Sequence, residues 1–359
     1  MRLFVDCRYV RTQVHDGISR YTASLVEAAA ELAEITMLIH DPRQLNLLPE
    51  LPSVTISSPT SAREPFVARQ VNGLRPDVVF SPMQTMGSTG RAYPLILTLH
   101  DLIYYEHPTP PRDLPAPVRL GWRLYHTSYA PQRFALNRAD AIATVSETTR
   151  GLIAEHRLTR RPVHVIPNAP QPVDQAREPG EGARKELVYM GSFMEYKNVE
   201  AVIAGLNLLP DYRLHLCSPI TPARRAQLSG LADRPRQLVF HNGIPEEDYQ
   251  QLLRSATALV TLSRAEGYGL PVVEAMSHGT PVIVSDLPIF REITAAAVRD
   301  AGAQAVRSPE QMAAAVRRLE DPQVFRSASR AARRQSQTYT WQDSAQRLVA
   351  LAESVMTTR

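Results

Sequence analysis

Short apolar runs alternate with stretches of helical periodicity along most of the chain. The runs are rich in Val, Ile and Leu and lack the strict polar alternation of half-exposed strands. Continuous apolar runs of this kind are typical of parallel strands that are buried on both faces. The pattern therefore predicts an α/β architecture with parallel sheets. The strands predicted in the first half are Leu3–Cys7, Ile35–Ile39, Val54–Ile56, Asp77–Phe80, Leu95–His100, Ala141–Val145 and Val163–Ile166.

A change in composition separates this alternation from a second one. Residues 167–185 are rich in Pro, Gly and charge, which is typical of a linker. We predict two doubly wound, Rossmann-like domains facing a cleft, in residues 1–167 and 168–340, followed by a helix within residues 341–359. The strands predicted in the second half are Glu186–Met190, Tyr212–Cys217, Gln237–Phe240, Ala258–Leu262 and Thr280–Val284.

Composition and charge narrow the class of protein. A chain of 359 residues with 44% hydrophobic residues is long enough for two globular domains. The formal net charge of +4 comes from arginines spread along the chain, a surplus that suits a phosphorylated ligand or an anionic membrane. Because the charge is diffuse and no nucleic-acid-binding module accompanies it, we expect no nucleic-acid partner.

The cysteines and the N-terminal residues of the chain indicate the cellular compartment. Cys7 and Cys217 both fall at predicted strands and are expected to be buried thiols. A chain without a disulfide framework or a Cys/His cluster fits a reducing compartment. The chain enters a strand at once, and no apolar run approaches the roughly 18–20 residues of a membrane span. We therefore expect a cytoplasmic protein without a signal peptide.

The most informative segment is residues 264–276, Arg-Ala-Glu-Gly-Tyr-Gly-Leu-Pro-Val-Val-Glu-Ala-Met. It follows a predicted buried strand, and Gly267 and Gly269 allow a tight turn or the close approach of a ligand. Pro271 suits the first turn of a helix, and Gly279 suits its end. The segment therefore predicts a strand, a glycine-rich turn and a helix.

Two carboxylates flank this turn. Glu266 is expected in the loop, and Glu274 about two turns inside the helix. Loops at the carboxyl ends of parallel strands are where open α/β sheets bind ligands, and a helix start favours phosphate. The arrangement suits a sugar nucleotide, with one carboxylate for sugar hydroxyls and the other for ribose hydroxyls.

The motif Glu266-x7-Glu274, with Gly-Tyr-Gly-Leu-Pro between the glutamates and Ala-Met after them, resembles that of the retaining glycosyltransferases with the GT-B fold. The likeness covers nearly the whole chain and includes features of bacterial mannosyltransferases. It implies transfer of a sugar from a nucleotide donor to a saccharide or glycolipid acceptor. It also implies that the helix from Trp341 onward crosses back to the first domain. In this segment it implies donor-binding roles for Glu266, Gly267, Tyr268, Gly269, Leu270 and Glu274.

A second segment, residues 191–198, follows the first strand of the second domain. Helical spacing begins directly after it, so Lys197 is expected near a helix N-terminus, where an anion binds well. The resemblance implies that Lys197 binds the donor diphosphate. Many relatives carry an arginine where this chain has Ser192, so one charge-assisted contact is missing. Arg11 and Arg264 are candidates to supply it.

Three loops complete the predicted site. Gly17 lies between the first strand and the next helix, and the resemblance places it against the diphosphate and the transferred sugar. His100 ends another strand and matches the histidine that reaches the donor sugar, with Asp101 either orienting it or capping a turn. Gly243 and Ile244 match the loop that holds the nucleobase through backbone groups. The implied catalytic residues are His100, Lys197 and Glu266.

The resemblance also implies the chemistry. No Asp-x-Asp pair is present to hold a cation on the diphosphate, so we expect neither a metal nor another cofactor. In a retaining transfer the departing phosphate oxygen accepts the acceptor's proton, so no protein nucleophile is required. Ser192 and the following Lys-Asn pair favour GDP-mannose as the donor. A UDP-sugar, or another GDP- or dTDP-sugar, remains open.

Other classes of protein stay open as well. A non-hydrolysing sugar-nucleotide epimerase shares the fold, although the paired glutamates fit transferases better. A glycogen-type phosphorylase would need pyridoxal phosphate and a much longer chain. A silent homologue that only binds sugar nucleotides is compatible with the missing arginine. The sequence does not indicate an oligomeric state.

Residues 112–138 combine arginines with aromatic side chains at helical spacing. Such a stretch suits weak peripheral contact with the inner face of a membrane. The alternative, which we favour, is a helix that packs its aromatic side chains into the first domain.

Overall fold

The computed structural model describes residues 1–110, 116–173, 175–178, 182–298 and 302–357. The chain divides into two compact units, Met1–Asn168 with Tyr339–Arg359, and Ala169–Thr338. Each unit is built on a single sheet whose strand pairs are all parallel. The predicted α/β class with two Rossmann-like domains is therefore confirmed.

The first unit contains a seven-stranded sheet in the order β3-β2-β1-β4-β5-β6-β7. Its strands are β1 (Arg2–Asp6), β2 (Glu34–Ile39), β3 (Ser53–Thr55), β4 (Val78–Ser81), β5 (Leu95–Leu99), β6 (Ala141–Thr144) and β7 (Val163–Val165). Its helices are α1 (Gly17–Ala29), α2 (Ala68–Asn72), α3 (Ile103–Glu106), α4 (Ala116–Tyr125), α5 (Ala130–Asn137) and α6 (Glu147–Glu155), with short 3-10 helices at Pro42–Leu47 and Glu64–Phe66.

The second unit contains a six-stranded sheet in the order β10-β9-β8-β11-β12-β13. Its strands are β8 (Arg184–Tyr189), β9 (Arg213–Leu216), β10 (Leu238–Phe240), β11 (Ala256–Thr261), β12 (Val282–Ser285) and β13 (Ala303–Val306). Its helices are α7 (Val199–Asn207), α8 (Pro222–Ser229), α9 (Glu246–Ser255), α10 (Leu270–Ser277), α11 (Pro288–Thr294), α12 (Pro309–Arg318) and α13 (Pro322–Ser336), with 3-10 helices at Glu195–Lys197 and Pro235–Gln237.

The central strands are buried on both faces, as their continuous apolar runs predict. Val78, Val79 and Phe80 of β4 are fully buried in the first unit, and β11 is buried along its whole length in the second. Burial of each such side chain contributes roughly 1.5–3 kcal/mol. The cysteines Cys7 and Cys217 are buried free thiols, in agreement with the sequence.

The last helix, α14 (Trp341–Thr357), belongs to the first unit and packs on α1. The ring of Trp341 lies edge-on to Tyr21, with centroids 6.0 Å apart. Ser344 Oγ donates a hydrogen bond of 2.8 Å to the carbonyl of Pro167. These contacts fix the N-terminal half of α14 against α1 and against the residues that follow β7.

Arg177 is firmly held within the Pro- and Gly-rich stretch between the sheets. The guanidinium of Arg177 is buried and donates to the carbonyls of Leu253 and Arg254 at the end of α9 and of Ala256 at the start of β11. It also lies over the ring of Phe325. A cation here satisfies helix carbonyls that have no intrahelical partner, so part of the predicted linker is an integral piece of the second unit. Its residues 174 and 179–181 lie outside the described ranges.

Within the described ranges, no helix combines the length and the apolar character that a bilayer span requires.

Candidate functional site

The carboxyl ends of β8 and β11 frame the candidate site of the second unit. These strands are neighbours, and β8 has β9 on its other side, so the chain leaves β8 and β11 toward opposite edges of the sheet. Such a switch point is where open α/β sheets bind ligands. The loop after β8 leads into α7, and the loop after β11 leads into α10.

An ion pair joins these two loops. The ammonium of Lys197 lies 2.7 Å from both Oε1 and Oε2 of Glu266. The two side chains are 15% and 12% exposed, so the pair is largely withdrawn from water. Ser263 Oγ donates a third hydrogen bond, of 2.8 Å, to Oε1. The structure therefore brings together two of the predicted catalytic residues, and it adds Ser263, whose place three residues before Glu266 was the only signal in the sequence.

Backbone and amide hydrogen bonds hold the same two loops in register. The amide of Arg264 donates to the carbonyl of Tyr196 at 2.7 Å. Asn198, in the left-handed region with φ of 51°, donates from Nδ2 to the carbonyl of Leu262 at 3.0 Å. Lys197 ends a 3-10 helix one residue before α7, so its backbone lies at the N-terminus of that helix, where N–H groups lack intrahelical partners.

Ser192 is exposed and lies in the loop after β8. Its carbonyl accepts a hydrogen bond of 2.7 Å from the buried Tyr189 hydroxyl. The amide of the preceding Gly191 donates to Ser218 Oγ at 3.1 Å. The loop is thus fixed through its backbone, and the Ser192 side chain offers a hydroxyl but no charge.

Gly269 sets the start of α10. It adopts a φ of 97°, and a Cβ built on it would lie 2.8 Å from Cε1 of Phe290. Because this left-handed residue delays the helix to Leu270, Glu274 lies little more than one turn inside it. The prediction of about two turns was therefore wrong. Gly279, with φ of 77°, follows the end of the helix as predicted.

The loop after β10 is a tight turn on the end of β9. Asn242 and Gly243 both have positive φ, of 56° and 100°. The amides of Gly243 and Ile244 both donate to the carbonyl of Cys217, at 3.1 and 3.0 Å. These two N–H groups are therefore already engaged, and nucleobase recognition through this loop would rely on acceptors or on a shared hydrogen bond.

Gly17 is the first residue of α1, whose N-terminus is capped by Asp16. Asp16 Oδ1 accepts from the amide of Ser19 at 2.9 Å, and Oδ2 accepts from Arg11 Nε at 2.6 Å. Arg11, one candidate for the missing cation, is therefore already paired with a carboxylate.

His100 follows β5 directly and packs edge-on against the ring of Tyr21, with ring centroids 5.2 Å apart. Its Nε2 is 2.7 Å from the carbonyl of Pro82, which can only accept, so Nε2 carries the proton. Burial lowers the pKa of His100, which leaves the ring neutral with Nδ1 as an acceptor. His100 and Asp101 line a cavity of about 90 Å³, and Asp101 Oδ1 accepts from the amide of Ile103 at 3.0 Å, which caps the turn into α3.

Sequence reasoning missed a buried network at the end of β1. The guanidinium of Arg8, 1% exposed, donates to both oxygens of Asp6 and both oxygens of Glu64. Glu64 Oε1 also accepts from the amide of Gly87, and Ser81 Oγ donates to Asp6. The only signal was an Asp and an Arg at the end of an apolar strand, where charge is otherwise unexpected. The network fixes the loops at the switch point of the first sheet, between β1 and β4.

Residues 116–138 pack aromatic side chains into the first unit. His126 is central, with ring centroids of Trp122 and Tyr105 at 4.1 and 5.0 Å. This agrees with the packing alternative, while Leu120 and Leu124 of α4 remain 61% and 63% exposed. Arg112, which opened the predicted stretch, lies outside the described residues.

The candidate residues divide between the units. Gly17 and His100 belong to the first, and the remaining predicted residues belong to the second. In the described part of the chain, no group of three or more His, Cys, Asp or Glu side chains is arranged to hold a metal ion.

Comparison with known families covers most of the chain. The model described as Glycosyltransferase Family 4 matches residues 15–170. The model described as Glycosyl transferases group 1 matches residues 172–337. The boundary between the two models falls beside the boundary between the two units.

Two curated relatives and one solved structure are similar to the chain. It is 23% identical over 296 residues to the O-antigen chain mannosyltransferase RfbU of Salmonella typhimurium, covering 77% of this chain and 80% of the relative. It is 31% identical over 186 residues to the GDP-mannose:cellobiosyl-diphosphopolyprenol alpha-mannosyltransferase of Xanthomonas campestris, covering 46% and 48%. HepE from Anabaena, solved with UDP and glucose, superposes with a TM-score of 0.73 at 16% identity over 99% of this chain and 100% of that one, a likeness of fold alone.

Proposed function

The chain belongs to the group 1 glycosyltransferases of the GT-B fold, and we propose that it transfers mannose from GDP-mannose to a saccharide or glycolipid acceptor, with retention and an α linkage. The observation that carries the proposal is the Lys197–Glu266 pair at the switch point of the second sheet. The mannosyltransferase relatives support mannose as the transferred sugar.

The donor diphosphate binds Lys197 and the N–H groups at the starts of α7 and α10. A cation and two helix starts together favour a multiply charged anion without a bound metal. The amides of Tyr268, Gly269 and Leu270 contribute at α10, where Gly269 gives the backbone close access. Glu274 binds ribose hydroxyls, and the turn at Gly243 and Ile244 faces the base.

When the diphosphate engages Lys197, the carboxylate of Glu266 loses its counter-ion and accepts hydrogen bonds from sugar hydroxyls instead. Ser263 keeps that carboxylate oriented during the exchange. His100, neutral because burial lowers its pKa, offers Nδ1 as an acceptor to a further sugar hydroxyl. Gly17 allows the start of α1 to approach the transferred sugar.

The transfer step needs no protein nucleophile. The bond between the anomeric carbon and the diphosphate oxygen breaks, and its electron pair leaves with the diphosphate. The acceptor hydroxyl attacks from the same face, and its proton passes to the departing phosphate oxygen. The protein positions the two substrates and stabilises the negative charge that develops on the diphosphate.

A transfer assay tests the proposal. Purified protein is incubated with GDP-mannose and candidate acceptors in EDTA, and GDP release and the anomeric configuration of the product are followed by NMR. Lys197→Met and Glu266→Gln should each lower turnover by about 10²-fold or more. Lys185→Met is the matched control, because Lys185 is 53% exposed and pairs with Asp211 in the same unit. Full activity of both site variants would refute the assigned roles.

Two alternatives give different results in the same assay. A UDP-sugar donor, which the fold likeness to the UDP-bound HepE supports, would give transfer with UDP-glucose and none with GDP-mannose. A homologue that only binds sugar nucleotides would bind the donor without releasing GDP. Its support is the uncharged Ser192 beside Lys197.

A further inference from the structure

Without a donor, the positive and negative charges at the candidate diphosphate site cancel each other. Lys197 is paired through both oxygens with the carboxylate of Glu266, so the two cancel. Ser192, in the loop that precedes Lys197, is exposed and uncharged. A diphosphate leaving group carries several negative charges and gains more as the sugar departs, so a second cation is expected near Lys197.

Arg264 is positioned to be that cation. It is exposed and lies two residues before Glu266 in the loop after β11. Its amide donates to the carbonyl of Tyr196, the residue before Lys197, at 2.7 Å. Its guanidinium Nη2 donates to Oδ1 of Asn198, the residue after Lys197, at 3.5 Å. Both ends of Arg264 therefore border Lys197 and the start of α7.

The guanidinium is available for an anion. Its one hydrogen bond is at the long limit for such contacts, and no Asp or Glu among the described residues forms an ion pair with it. Arg11 differs, since its Nε lies 2.6 Å from Asp16. Displacing the Asn198 contact removes one weak hydrogen bond, whereas freeing Arg11 breaks a short ion pair.

We propose that Arg264 is the second cation of the donor site and binds the diphosphate of the nucleotide sugar together with Lys197. A guanidinium presents a planar fork that matches two phosphate oxygens. Lys197 belongs to the loop after β8, and Arg264 belongs to the loop after β11. A diphosphate bound by both cations would therefore bridge the two loops. The inference rests on the proposed function of this unit as the donor site.

Binding of GDP and GMP tests the role, because the two differ only in the second phosphate. Wild-type protein should prefer GDP, as measured by isothermal titration calorimetry in EDTA. Arg264→Ala should lower GDP affinity about tenfold or more and leave GMP affinity within about twofold. Arg264→Lys keeps the charge but loses the planar fork, so its GDP affinity should lie between that of the wild type and that of Arg264→Ala. Arg318→Ala is the control, since Arg318 is an exposed arginine at the end of α12.

GDP and GMP affinities in Arg264→Ala that both stay at their wild-type values would overturn the inference while leaving the proposed function intact. Equal loss for GDP and GMP would also overturn it, because it would mark a general change in the site. A wild-type protein with no preference for a diphosphate would overturn the inference and the donor site together. If the wild type binds UDP instead of GDP, the donor assignment fails, and UDP against UMP decides the role of Arg264 in the same way.

Discussion

The ammonium of Lys197 and the carboxylate of Glu266 face each other at 2.7 Å through both carboxylate oxygens, across the switch point of the second sheet. The pair connects two loops that are 69 residues apart in sequence. It places the cation proposed to bind the diphosphate and the carboxylate proposed to bind the sugar within one contact. Under the proposed function, a donor phosphate replaces Glu266 as the partner of Lys197, and a sugar hydroxyl replaces Lys197 as the partner of Glu266.

The first prediction separates the stability of this pair from its function. Lys197→Met leaves a carboxylate that is only 12% exposed without its counter-ion, so unfolding free energy should fall by about 2 kcal/mol. Lys197→Met with Glu266→Gln removes both charges and should recover much of that loss. Urea denaturation measures the stabilities, and the double variant should remain inactive. Losses that simply add would show that the two side chains are not coupled.

The second prediction concerns the start of α10. Gly269→Ala forces a side chain into the left-handed region and against Phe290, so it should cost about 2 kcal/mol and weaken nucleotide binding. Gly151→Ala is the matched control, because Gly151 lies within α6 and a Cβ there meets no atom within 4 Å. That change should stabilise the protein by about 0.5–1 kcal/mol. Equal effects of the two substitutions on nucleotide binding would contradict the role given to Gly269.

The third prediction is a loss of stability at mildly acidic pH. Burial, with smaller contributions from His241 and Arg213, lowers the pKa of His215 to about 4. Burial likewise lowers the pKa of His278 to about 4. Both are therefore neutral at pH 7, and the 3.7 Å approach of His215 to Glu186 is not an ion pair at that pH.

Because the unfolded chain binds these protons near pH 6.5, stability should fall as the pH drops from 6.5 toward 4, by up to about 3 kcal/mol for each histidine. Melting temperatures between pH 8 and pH 4.5 measure the effect. His215→Gln should flatten the acid side of the curve and leave the slope between pH 7 and pH 8 unchanged. An identical acid slope in wild type and variant would show that His215 does not contribute.

The strands of both cores could be predicted because they are apolar runs buried on both faces. Predicted Leu95–His100 became Leu95–Leu99, and predicted Ala258–Leu262 became Ala256–Thr261. The strand β13 was missed because Ala303–Val306 reads Ala-Gln-Ala-Val, which contains only one β-branched residue and is interrupted by a polar one. It pairs only with β12, at the edge of the sheet, where continuous hydrophobicity is not required.

The site could be predicted only as far as local motifs reach. The spacing of Glu266 and Glu274 and the helix after Lys197 are local, so the sequence indicated which loops carry them. The Lys197–Glu266 contact depends on β8 and β11 being neighbours, which no local pattern encodes. The Arg8 network was missed for the same reason, because Glu64, which supplies one of its carboxylates, is 56 residues from Arg8 in the sequence.

The central claim is that this glycosyltransferase uses a GDP-linked sugar without a metal ion. The most direct measurement is a thermal-shift panel of GDP, UDP, dTDP and ADP with their sugars, each with magnesium and with EDTA. A ligand that binds only the folded state raises the melting temperature according to its concentration relative to Kd. The account predicts a selective rise with GDP and GDP-mannose that is the same in EDTA. A rise confined to UDP-sugars, or one that requires magnesium, would contradict it.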